Sequence, residues 1–142
     1  MTNTISLLVL RISMALVFLW FGVQQFLKPA DWTGYIPSWA SIIPLSPTAL
    51  VYANATLEVV LGAFLILGIF TRISALILAI HLGVISVDMF QIGSAAIGVR
   101  DFGLAMATLT IAIASEHSHT IGKKYMAYLK HKFPSFGKEN SH

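Results

Sequence analysis

The chain has 142 residues, of which 56% are apolar and 11% charged, about half the charged fraction usual in a soluble globular domain. At about 20 residues per crossing, this length spans a bilayer roughly four times and leaves no room for a separate soluble catalytic domain. The absence of cysteine excludes thiol exchange, iron-sulfur ligation and thiolate-bound zinc, and the net charge of +3 is no nucleic-acid footprint, because Lys123, Lys124, Lys130, Lys132 and Lys138 all lie behind the last apolar segment.

The first apolar segment runs from about Ile5 to Leu27. No basic residue precedes it and no small-x-small site follows, so it reads as a retained span and not a cleaved signal. Lys28, Pro29 and Asp31 stop it, and Trp32, Tyr35, Pro37, Trp39, Pro44 and Pro47 follow in a proline-broken aromatic stretch. Residues 28–48 are expected to lie along the outer interface as an aromatic belt. The other reading is an aromatic plug over the end of the bundle.

A second span is expected over residues 49–70, joined through Thr71 and Arg72 to a third over 73–92 that is interrupted only by His81 and Asp88. A fourth is expected over about 99–117, opened by Arg100 and Asp101. Continuous apolar runs without ten-residue alternation exclude a β-barrel. The fold class is all-α, a polytopic four-transmembrane-helix bundle. The spacing of Ala75, Ala79 and Gly83 marks a narrow face for close helix approach. Residues 120–142 form a basic tail in which Tyr125, Met126, Tyr128, Leu129 and Phe133 interleave with lysines, a pattern suited to an anionic leaflet. Four crossings put both termini, the Arg72 turn and the tail lysines on one side, and the positive-inside rule makes that side the cytoplasm of a cell membrane protein.

Charges at membrane depth are costly and ask for a partner or a cavity. At 1.5 Å per residue, Glu58 falls about 13 Å from the outer end of its helix, while Arg11 and His81 fall about 9 and 12 Å from the inner ends of theirs. A snorkelling Arg11 would reach their level. Arg11, Glu58 and His81 are therefore expected to meet near mid-membrane, either as a structural ion pair or as a polar site for a hydrogen-bonding head group, with His81 or Glu58 exchanging a proton. A second, outer polar cluster gathers Gln24, Gln25, Asp88, Arg100 and Asp101, with Asp88 facing Arg100 and Asp101 near its helix N-terminus, favoured by the dipole. No metal site is expected. Glu116, His117 and His119 read as an interface cap, because helical geometry would make the two imidazoles diverge. Haem held by two histidines of this chain is disfavoured, because His81 is the only histidine well inside the membrane.

Arg11 in a first helix ending in Phe18 to Gly22, then Pro29 and Trp32, Glu58 within LEVVLGAFLILGIFTR, and Arg100-Asp101-Phe-Gly-Leu opening the last helix together resemble the DoxX family of small four-helix membrane proteins over residues 5–115. The resemblance implies a membrane subunit of a quinone-linked oxidoreductase, anchoring a redox partner subunit and contributing part of a quinone site. Arg11, Glu58, Arg100 and Asp101 are the motif positions, and His81 and Asp88 stand outside the motif. No covalent cofactor is implied, and quinone is the expected ligand. A structural or assembly protein without chemistry of its own is the alternative. A small proton-coupled transporter is a third option, for which four helices would have to associate as a homo-oligomer to leave room for alternating access.

Overall fold

The computed structural model describes residues 2–115. The tail over 120–142 and the Glu116, His117 and His119 cap lie outside the described residues. Four helices, α1 (Thr2–Leu27), α2 (Pro47–Leu67), α3 (Thr71–Gln91) and α4 (Ala95–Ala114), run up and down. All four are long and apolar enough to cross a membrane, since 20 residues rise about 30 Å, the thickness of the hydrocarbon core. No strand occurs among the described residues. The protein is an all-helical membrane protein with four candidate spans.

Local chemistry sets the helix limits, which differ by a few residues from the apolar windows. α2 begins at Pro47 because Ser46 is a capping residue whose hydroxyl oxygen accepts from the Ala49 N–H at 3.2 Å, with proline at the first helical position. It stops at Leu67 because Gly68 takes φ +70°, the left-handed conformation glycine adopts without a Cβ penalty, and Ile69 N–H then closes onto the Phe64 carbonyl at 3.0 Å. α4 starts at Ala95 and draws residues 95–98 into the helix. Arg100 and Asp101 therefore sit inside the helix and not at its opening.

The bundle is two antiparallel pairs. α1 packs closely on α2 and α3 on α4, while α2 with α3 and α1 with α4 touch more sparsely. Small residues permit the close pairings. A Cβ built on Gly22 would lie 2.7 Å from Val59 Cγ2 and 3.0 Å from the Ala55 carbonyl oxygen. One built on Gly98 would meet the Phe90 ring at 3.0 Å and the Ser86 carbonyl oxygen at 3.1 Å. Ser86 ties the second pair by donating its hydroxyl to the Gly98 carbonyl at 2.7 Å. The small-residue face of α3 holds at Ala75 and Ala79, both buried, but nothing lies within 4 Å of a Cβ on Gly83.

The two halves of the bundle differ. Toward the chain termini, Met14, Ala15, Phe18, Leu65, Leu78 and Ile111 belong to one solid apolar cluster. At the opposite end the pairs part. There residues 28–48 fold back as two 3-10 turns, Pro29–Tyr35 and Ser38–Ile42. They cap the bundle end. Trp32 meets Phe21 edge to face with centroids 5.7 Å apart, and Ala40 is buried. Trp32 and Trp39 thus find partners on the helices, while Tyr35, Ile42 and Leu45 stay exposed.

The packing predicts opposite outcomes for two glycines. Gly22→Ala should destabilise the detergent-solubilised protein by about 1–3 kcal/mol, since α1 and α2 must move apart. Gly83→Ala should change stability by less than about 1 kcal/mol. Thermal unfolding followed by circular dichroism checks both.

Candidate functional site

Where the two helical pairs part, they enclose a cavity of about 560 Å³, roofed by the aromatic cap and lined by residues from all four helices. This volume lies within the range of about 300–1,000 Å³ found for small-molecule sites. Its walls are apolar and aromatic, with Trp32, Tyr35 and Trp39 in the roof and Phe18 and Leu82 deeper in. Its polar groups fall into three sets.

The first set centres on Glu58 of α2, which is 4% exposed. Gln25 of α1 donates through Nε2 to Glu58 Oε2 at 2.8 Å. Asn54, one turn before Glu58, donates through Nδ2 to Glu58 Oε1 at 3.2 Å and to Gln25 Oε1 at 2.7 Å. The three side chains thus close a ring of hydrogen bonds across the α1–α2 seam. His81 of α3 approaches from the other helical pair, its Nε2 3.5 Å from Glu58 Oε1. That nitrogen is buried and makes no hydrogen bond. Both Glu58 oxygens are served by amides, and His81 Nε2 is buried against Glu58 without a hydrogen bond.

The second set joins cap to bundle. Trp39 Nε1 donates to Asp88 Oδ1 at 3.1 Å across 49 residues of sequence, and Asp88 is 6% exposed. The third lies on α4, where Arg100 Nε donates to Asp101 Oδ1 at 2.8 Å. The Arg100 guanidinium also sits over the Phe21 ring, 5.3 Å from its centroid, a cation-π contact that steadies the half-exposed side chain. Lys28 and Asp31 line the cavity with these groups.

Several sequence expectations change here. Arg11 does not join Glu58 and His81. Its Nη1 lies 3.2 Å from where a Cβ on Gly68 would stand, and Gly68 is ten residues, about 15 Å of helix rise, beyond Glu58. The reason is directional. Cα–Cβ bonds tilt toward a helix N-terminus, so on antiparallel α1 and α2 the side chains of Arg11 and Glu58 lean to opposite ends. The Arg11 charge instead meets the C-terminal end of α2, the negative pole of its dipole.

Asp88 and Arg100 make no ion pair among the described residues. The tryptophan and the neighbouring aspartate are their partners. Asp101 stands about two turns past Ala95, beyond the reach of a dipole effect confined to the first turn. Gln25 belongs with Glu58 and not with Asp88. Gln24, Gln25, Asp88, Arg100 and Asp101 nevertheless line the same cavity as Glu58 and His81, so the expected inner and outer layers form one site. Asn54 and Trp39 are the site residues the sequence reading missed. The placement of Asn54 four residues before Glu58, one helical turn, was the available signal. Trp39 offered only its membership of an aromatic stretch.

The hydrogen-bond ring makes a definite prediction. Glu58→Ala leaves the Gln25 amide nitrogen without its acceptor and Asn54 with only Gln25 Oε1, and should cost about 1–3 kcal/mol. Replacing Gln25, Asn54 and Glu58 together by Met, Leu and Met should cost less than the single change, because no buried donor is then stranded. Denaturation of the purified variants in detergent tests this.

The site lines its space with aromatic rings, carboxylates, amides and the His81 imidazole. No group of three His, Cys, Asp or Glu side chains among the described residues is placed to hold a metal ion. No curated protein and no solved structure matches the chain. The DoxX family model matches residues 6–91, which carries Arg11, Glu58, His81 and Asp88 and ends before Arg100. With more than half of its length matched, the chain belongs to the DoxX family of small membrane proteins, a family with membrane-associated oxidoreductase-related roles.

Proposed function

We propose that this protein is the membrane subunit of a quinone-linked oxidoreductase and that its cavity receives the ring of a quinone or quinol. The observation that carries the reading is the cavity itself: a space of ring size within the membrane-spanning bundle, roofed by aromatic side chains and floored by His81 beside Glu58. Aromatic walls stack on a flat ring. His81 lines the cavity with its Nε2 buried against Glu58; on binding, the imidazole turns that nitrogen to the ring's oxygen as a hydrogen-bond partner. A group that binds an oxygen with its proton can also carry that proton as electrons arrive or leave. The electrons themselves come from a partner subunit carrying the redox cofactor. Glu58, fixed by its two amides, orients His81 from the side, and Gln24 adds an amide to the wall.

The membrane of residence is taken to be the cell membrane, with both termini cytoplasmic. Arg72 and the five tail lysines support this orientation, with Lys28 and Arg100 at the capped end. The capped end then faces outward. A structural reading has one observation in its favour: the Gln25, Asn54 and Glu58 ring satisfies itself within one helical pair and would lock α1 to α2 with the cavity empty.

Two measurements test the proposal. Gentle native isolation from membranes should recover an electron-carrying protein and a ring lipid with this chain. A short-tailed benzoquinone and benzoquinol pair added to the purified protein should raise its unfolding temperature, since ligand at a hundred times its dissociation constant adds about 2.7 kcal/mol. Failure of both rings to bind, with no redox partner recovered, would leave the structural reading. A C-terminal reporter active only outside the cytoplasm would reverse the orientation.

A further inference from the structure

The acceptors on the cavity wall are not all in use. Asp88 spends Oδ1 on Trp39 and Asp101 spends Oδ1 on Arg100. The Oδ2 atom of each carboxylate has no hydrogen-bond donor among the described residues. Neither is sealed in protein: the buried side-chain atoms left without a partner are Arg11 Nε, Thr71 Oγ1 and His81 Nε2. Both residues are otherwise buried, 6% and 4% exposed, and both line the cavity. Each carboxylate thus keeps an oxygen with no protein donor on a residue of the cavity wall. Asp88 has no cation within ion-pair distance among the described residues, so its free oxygen is an uncommitted acceptor.

An ionised carboxylate accepts and cannot donate. The carbonyl oxygens of an oxidised ring are acceptors only, and bringing one to Asp88 or Asp101 sets lone pair against lone pair. A ring hydroxyl carries a proton to the same position and forms a charge-assisted bond, about twice as strong as a neutral one. We propose that the cavity selects hydrogen-bond donors, so that it binds the reduced aromatic diol in preference to the quinone, with the free oxygens of Asp88 and Asp101 as the selecting groups. This rests on the ring-ligand reading above and adds to it the redox form the site prefers. Preference for the reduced form raises the midpoint potential of the bound couple, by about 30 mV for each tenfold difference in affinity in a two-electron couple. The site would then hold the product of quinone reduction, or the substrate of quinol oxidation, more firmly than its redox counterpart.

The test compares three probes on the full-length protein in lipid nanodiscs under anaerobic conditions. The probes are decyl-1,4-benzoquinol, decyl-1,4-benzoquinone and the dimethyl ether of the quinol, which keeps the ring but has no donor. Calorimetric titration should give the quinol an affinity about tenfold or more above both other probes, the worth of one hydrogen bond to a charged acceptor. Asp88→Asn keeps an acceptor for Trp39 but gives up the charge, and should reduce the ratio at least about threefold. The wild-type series decides the matter even where that variant fails to fold. A quinol-to-quinone ratio below about fivefold, or an ether that binds as well as the quinol, overturns donor selection while leaving ring binding in place. Binding of none of the three overturns donor selection and the ring-ligand reading together.

Discussion

The arrangement of the bundle depends on how one carboxyl group is accommodated at membrane depth. Glu58 is almost fully enclosed in a helix that spans the bilayer, where an acidic side chain costs about 3 kcal/mol or more unless it is partnered. Two amides meet the need, one from the facing helix and one from its own preceding turn. That solution requires α1 and α2 to lie close enough for Gln25 to span the gap, and Gly22 permits it by presenting no side chain to Ala55 and Val59. The close seam and the satisfied carboxylate are one constraint expressed twice. Widening the seam would strand the hydrogen bonds, and deleting them would remove the polar reason for the seam.

The second helical pair is held differently, and the difference leaves a cavity. Ser86 and Gly98 bring α3 and α4 together with a single side chain to backbone bond and an aromatic contact to Phe90. Between the pairs, the terminal half closes with apolar side chains of matched size, as in Phe18, Leu65 and Leu78. In the other half the inward positions include Gln25, Asn54, Glu58, His81, Asp88 and Asp101 among apolar residues such as Val51 and Met89, and these polar groups do not interdigitate as aliphatic side chains do. Such groups interrupt the apolar walls where close packing would otherwise continue. The aromatic cap then closes the cavity from the end.

Much of the fold was legible in the residues, because bilayer thickness forces span length and span length is a property of composition. The levels of Glu58 and His81 were readable from helix rise alone, and residue counting set them at similar depth. Direction was harder. Snorkelling reach alone does not fix the end Arg11 turns to; the tilt of its Cα–Cβ bond favours the N-terminal side. Asn54 was hidden by an apolar neighbourhood, and its meaning appears only when Gln25 stands opposite. The indole of Trp39 reaches an aspartate 49 residues away, a pairing that no local periodicity encodes. Arg100 and Asp101 were misread for another reason: α4 recruits Ala95 and Ala96, good helix formers, and so moves the pair off the helix end.

Cap and cavity are not independent parts, because Asp88 serves both. One of its oxygens holds the indole of Trp39 and with it the second 3-10 turn of the roof, and the residue lines the enclosed space. Asp88 is thus the one carboxylate of the cavity wall whose described hydrogen bond goes to the roof. The cap reaches that position without a long connection: Leu27 ends α1 beside the cavity, Pro29 sets the first turn, and Ser46 starts α2 at the same end. The roof is thus built from the link between the first two spans.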